Sequence, residues 1–404
     1  MINIKFLLAI CLLFPALASA QLDFRYDDDV YKTLYIQDLC GFLEANPKTL
    51  LLDVRSPGEF NDKAQNAIYN IGHLKGAMNI SIDSIDNKIK SLQSKSENPI
   101  VVYCSHSQRS RVVSKKLTEN GFTKVWNLNG GMTLFNQASP GDVPCKKEMI
   151  VSGLPYKNIP ANEVSALIAN TKNMQIFDMR TNAEYDGKDT IQSQNIGRIT
   201  GANNVPAARL TEYLAKMDAN KVTLVYDGNG KDSNDAAKYL SEHGYKNVYH
   251  LMGGLSAVIG RDKETLEIRK ELLVGTPEYT ILNSYEAINL LTKKSNAYII
   301  DARKTEEFKN KSTDHWRNLG HIKNAVNIPP SEFQRQKEEL LKHKKETIVV
   351  YGENAAKYCA ELKKMGFEEV NLVYGGLWDL VSASFNIKSL KDSKALFVDH
   401  KGLY

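Results

Sequence analysis

Along most of the chain, short runs of consecutive apolar residues alternate with longer stretches in which apolar positions recur every three or four residues. The runs include LLLD ending at Asp53, IVVY ending at Tyr103 and IVVY ending at Tyr351. They are rich in Val, Ile and Leu and carry no regularly interspersed polar positions, as expected of strands covered on both faces. The stretches between them, 36–46 and 110–120 for example, predict amphipathic helices. Strand and helix in alternation predict an α/β fold, with a mostly parallel central sheet and helices on both faces.

The pattern occurs three times. An apolar strand ends in Asp-x-Arg at Asp53, Asp178 and Asp301, roughly 123–125 residues apart. An acidic–aromatic pair follows each time: Glu59-Phe60, Glu184-Tyr185 and Glu307-Phe308. Next come the Gly-led segments GHLKGAMNI, GRITGANNV and GHIKNAVNI, a second apolar strand, a helical stretch, and a Gly-Gly pair at 130, 253 and 375. One period holding for several features means triplication. Three tandem domains are predicted at 30–137, 156–260 and 279–385. They are separated by linkers containing Pro140, Gly141, Pro144, Gly153 and Pro155, then Gly275 and Pro277. Units of this size can bury their own cores.

Composition narrows the function classes. Hydrophobic residues are 42% and charged residues 25% of 404, which excludes a disordered or collagen-like chain. The net charge of +5 is thin and not gathered into a basic stripe, so no nucleic-acid partner is expected. No Cys or His pair has zinc-ligand spacing, and neither metal nor cofactor is expected.

The order Asp-x-Arg, Glu-Phe, Gly-His-x-x-Gly-Ala-x-Asn-Ile, Val-Val-Tyr-Cys loop, Gly-Phe and Gly-Gly resembles the rhodanese-like sulfurtransferase family, most strongly in the first repeat. The resemblance covers about residues 30–385 and implies three tandem rhodanese-like domains. It also implies sulfane-sulfur transfer from a thiosulfate-like anion, through a persulfide on Cys104, to a thiol or cyanide-like acceptor or to a protein partner in sulfur transfer. The residues support that chemistry on their own terms. Cys104 ends a parallel strand and faces a helix N-terminus across Ser105, His106, Ser107, Gln108, Arg109 and Ser110. Successive backbone N–H groups in such a loop form an anion cradle, and the helix dipole and Arg109 add positive charge. All three favour thiolate and a bound anion. The Cys-x4-Arg spacing, with Tyr103 before the cysteine, departs from the His-Cys-x5-Arg of Cys-dependent phosphatases. A phosphatase or arsenate reductase is thus a rival reading, as is a silent multi-domain scaffold. Family loops usually carry Gly where this chain has Ser107. If that position needs φ > 0, Ser there costs about 1–3 kcal/mol. His106 is open to two readings, substrate contact or exposed loop residue.

Repeats two and three lack the cysteine. Asp227 and Asp232 stand at the positions of Cys104 and Arg109, and two carboxylates would repel thiosulfate. Gly352 begins a loop about three residues shorter, so no cradle of the same size is expected there. Both repeats are expected to be inactive, with Cys359 a small core residue. Asp53, Arg55 and Glu59 recur in the inactive repeats, so they read first as structural, with Asp53 and Arg55 as indirect support for the loop.

The first twenty residues, MINIKFLLAICLLFPALASA, have the form of a secretory signal peptide with cleavage after Ala20. The expected location is periplasmic or secreted, with no membrane span after cleavage. Export, and the even number of cysteines then left, raise the hypothesis of a Cys40–Cys145 disulfide.

Overall fold

The computed structural model describes residues 30–400 apart from 262, 264 and 295. The signal-peptide expectation therefore falls outside the described residues. Three α/β units follow one another. In the first, strands β1 (Lys32–Tyr35), β2 (Leu50–Asp53), β3 (His73–Leu74), β4 (Met78–Asn79), β5 (Ile100–Tyr103) and β6 (Val125–Asn129) precede β7 (Ile150–Val151). The central sheet has the order β1-β6-β5-β2-β4, and every pairing in it is parallel. The second and third units build five-stranded parallel sheets of the same order.

The unbroken apolar runs have the cause expected of them. On β5, Ile100 and Val102 pack with Ile85, Ile89, Val113 and Leu117 of the helices on one face. Val101 and Tyr103 pack with Leu39, Met132 and Phe135 of the helices on the other. A strand alternating polar and apolar residues would put a polar side chain into one of these two cores.

The Asp-x-Arg motif is a buried clamp in all three units. Arg55 pairs with Asp53 at 2.7 Å, both side chains being fully buried, and donates to the carbonyl of Gly72 at 2.7 Å. Arg180 and Arg303 repeat this with Gly197 and Gly320. Each clamp fixes the end of a central strand to the start of the Gly-led segment. The tyrosine ending the next strand helps, since the hydroxyls of Tyr103, Tyr226 and Tyr351 accept from Leu74, Ile199 and Ile322.

The segments read as linkers are structured. After Lys146–Met149, β7 pairs antiparallel with β3, and Leu273–Val274 and Phe397–Val398 close the second and third units in the same way. Two-residue strands are too short to leave a periodic signal, and Pro and Gly nearby read as loop. Cys40 and Cys145 are joined by a disulfide that ties this returning segment to the first helix.

The units pack against one another. Leu251 and Leu255 of the second share a core with Ile300 and Val350 of the third. Asn129 of the first donates to the Phe385 carbonyl of the third, and Arg111 donates to Asn386. Among the described residues, no helix is long and apolar enough to cross a membrane.

Candidate active site

Cys104 leaves the carboxyl end of β5, where ligands bind in open α/β sheets, and is almost completely buried. The helix Gln108–Glu119 begins four residues later. Its first-turn N–H groups have no partner within the helix and point back toward the loop. The Gly-Gly turn presses on the other side. A Cβ on Gly131 would lie 2.2 Å from the Cys104 carbonyl oxygen, so only glycine fits.

Ser107 has φ +72°, the left-handed conformation that glycine adopts readily, and Gly230 at the matching position has φ +87°. Side-chain hydrogen bonds hold the serine there. Its hydroxyl donates to the Leu128 carbonyl at 3.0 Å and accepts from the Gly130 N–H at 2.5 Å. The Ser110 hydroxyl faces the Ser107 carbonyl at 3.0 Å and Asn127 at 2.6 Å. Both hydroxyls turn into the protein, toward β6 and the loop itself, so Ser107 and Ser110 can face a bound anion only through their backbone N–H groups. Gln108 is exposed at the helix start, and Ser105 is buried with its hydroxyl accepting from Arg109 at 3.1 Å. His106 faces Thr133 at 3.1 Å in a crevice against the second unit, crowded by protein yet reached by solvent. Desolvation, then the cations Arg261 and Arg109, lower its pKa to about 4, so it is neutral at pH 7. Asp53 and Arg55 belong to the clamp beneath the loop.

Arg109 is near enough to Cys104 for the two to interact electrostatically. Glu59 grips it with two bonds of 2.6 and 2.7 Å. Burial opposes ionisation of Glu59, but Arg109 and the Ser56 N–H outweigh it and lower the carboxyl to about 2. The same pair raises the Arg109 pKa further. Arg109 is therefore not a free cation. Its charge is largely balanced, and the backbone carries more of the task of attracting an anion. Glu59 was read as structural because it recurs, but its copies do different work. Glu184 only caps its own helix, and Glu307 pairs with Arg317 at 3.0 Å. Recurrence could not separate these roles, since the acid persists where its arginine does not.

The second unit shows what such a loop holds. The Asp227 carboxylate accepts from the N–H groups of Asn229 (3.1 Å), Gly230, Asp232 (2.6 Å) and Ser233 (3.1 Å). The corresponding positions in the first unit are His106, Ser107, Arg109 and Ser110. The loop of the second unit is an anion cradle filled by its own side chain, a firmer block than simple repulsion. Among the described residues no cluster of His, Cys, Asp or Glu could hold a metal ion.

A family model described as Rhodanese-like domain matches residues 41–138, 160–260 and 284–383. The chain belongs to the rhodanese-like domain family. One rhodanese-like relative, the thiosulfate sulfurtransferase GlpE of Shewanella oneidensis, is 33% identical over 102 residues, covering 25% of this chain and 91% of that protein. The uncharacterized protein YqhL of Bacillus subtilis is 30% identical over 122 residues, covering 30% of this chain and 82% of its own. Among solved structures, a thiosulfate sulfurtransferase from Pseudomonas aeruginosa is similar over 86% of this chain and 67% of its own, at 18% identity and a TM-score of 0.24. The relatives include sulfurtransferases, and sulfur-containing substrates are the general class they point to.

Proposed function

We propose that the protein is an exported sulfurtransferase that moves sulfane sulfur from a thiosulfate-like donor to a thiophilic acceptor through a persulfide on Cys104. The observation that carries this reading is the filled cradle at Asp227. The same loop, at the same place in the first rhodanese-like module, carries a thiol where the second carries a carboxylate. The Cys104 thiolate attacks the outer sulfur of the donor, the S–S bond of thiosulfate breaks, and sulfite departs with the bonding pair. The persulfide anion then occupies the position Asp227 takes in its own cradle, facing the N–H groups of His106, Ser107, Arg109 and Ser110. A thiol or cyanide attacks the outer sulfur and regenerates the thiolate, in ping-pong order. Glu59 acts as a positioning residue by fixing Arg109 beside the sulfur. The second and third modules take no part in this chemistry. Export is supported by the N-terminal pattern, and the Cys40–Cys145 disulfide suits an oxidising compartment.

The test is intact mass of the purified chain before and after thiosulfate. A gain of one sulfur, about +32 Da, removed by cyanide and missing in Cys104→Ser, is expected of this covalent route. No gain with Cys104 free and reactive would refute it and shift weight to a scaffold role.

A further inference from the structure

The third module lacks a cradle, yet its loop position is not filled. A Cβ on Gly131 or Gly254 would lie 2.2 or 2.4 Å from the facing loop carbonyl, whereas on Gly376 the nearest atom, the Gly352 nitrogen, is 3.6 Å away. The shortened loop has drawn back from the Gly-Gly turn. A cavity of about 280 Å³ opens there, at the carboxyl ends of the parallel strands, with Ser193 of the second module on its border. Its walls are mainly apolar and aromatic, with Trp316, Trp378, Tyr374, Leu319 and Leu377 among them.

The charged side chains lining the cavity are Arg303, Arg317, Glu307 and Glu353. Arg303 is closed off by Asp301 at 2.6 Å. Arg317 stands among three carboxylates, Glu307 at 3.0 Å, Asp314 at 3.4 Å and Glu353 at 3.6 Å. With Arg303 closed off, Arg317 faces two carboxylates of the lining, Glu307 and Glu353, so the lining carries an excess of negative charge that disfavours thiosulfate-like anions. Arg317 also lies 4.5 Å from the centre of the Trp316 ring, so this indole already accepts a cation on one face. Trp316 is half exposed, which leaves ring surface for a second partner.

We propose that the third module is a binding site for a small organic cation with a planar apolar body, such as an aromatic ammonium. The apolar part enters between the aromatic side chains, and the charge stays at the rim near the exposed Glu353. Aromatic faces attract such cations, and attraction grows as water is excluded. The catalytic thiol of the first module is not involved, so the proposal stands or falls apart from the sulfur-transfer reading.

The experiment is titration of the full chain with benzyltrimethylammonium, its anionic counterpart phenylacetate and neutral benzyl alcohol, read by tryptophan fluorescence and calorimetry. Saturable binding of the cation, with phenylacetate weakest, is expected. Ala356→Leu, which fills the cavity, should abolish it. Glu353 is largely exposed, so Glu353→Lys should fold normally. It should weaken the cation at least about fivefold and improve phenylacetate. Equal binding of all three probes, no saturable binding of the cation, or indifference to Glu353→Lys would overturn the proposal.

Discussion

Asp227→Ala empties the cradle of the second module and asks whether the loop is an anion receptor in its own right. Four backbone N–H groups then lose one charged acceptor. Hydrogen bonds to charged groups contribute about 1.5–3 kcal/mol each, and the four are not additive because they share one carboxylate. Water entering the vacated site returns part of the loss. A destabilisation of about 3–5 kcal/mol is expected, at the upper end of what single substitutions produce. An added anion should then take the carboxylate's place. At a concentration of 100 Kd it recovers about 2.7 kcal/mol. Asp232 works against it. Burial, then the charge of Asp227, raise the Asp232 pKa, so with Asp227 gone Asp232 ionises more readily and repels the incoming anion. Asp227→Ala/Asp232→Asn should therefore respond more strongly than the single variant. The assay is urea unfolding in thiosulfate or sulfate against chloride at matched ionic strength, with the wild type run beside each variant to subtract general salt effects. If the anion stabilised wild type and variant equally, the loop would not be a cradle, and the argument transferred to Cys104 would lose its support.

Three further outcomes follow from the first module. Glu59 has its carboxyl held at about 2 against an ordinary 4.5, so its ion pair stabilises the fold above pH 4.5 and loses that contribution as pH falls toward 2. Glu59→Gln should be about 1–3 kcal/mol less stable at pH 7, allowing for the partial exposure of Arg109, and chemical denaturation across pH should show the deficit vanishing in that window. At Ser107, glycine relieves about 1 kcal/mol of left-handed strain but gives up two hydrogen bonds of about 1 kcal/mol each. Denaturation midpoints should rank wild type above Ser107→Gly and that above Ser107→Ala. The Cys40–Cys145 bridge spans 105 residues. Replacing both cysteines with alanine should cost about 2–5 kcal/mol, and a melting temperature unchanged by this substitution would show that the bridge does not constrain the chain.

The sequence by itself determined the repeated architecture, because strands buried on both faces must be apolar at every position and a triplicated pattern repeats that demand at one period. It also marked the loop: a thiol, an arginine and a helix start within six residues can be read without coordinates. Local chemistry even posed the Ser107 question correctly, since the backbone conformation of a tight loop is a local property. Only the tertiary structure decided the rest. Glu59 is 50 residues from Arg109, and nothing in either neighbourhood separates it from Glu184 and Glu307, which lack that partner. Asp227 was legible as a missing cysteine but not as a carboxylate held in the cradle, because the aim of four N–H groups depends on backbone torsions. The inward turn of Ser107 and Ser110 was set by β6, which comes later in the chain. The cavity at Gly352 depends on how far a shortened loop withdraws from a turn more than twenty residues on. Such distances follow from packing three-dimensional volumes, and a one-dimensional pattern does not carry them.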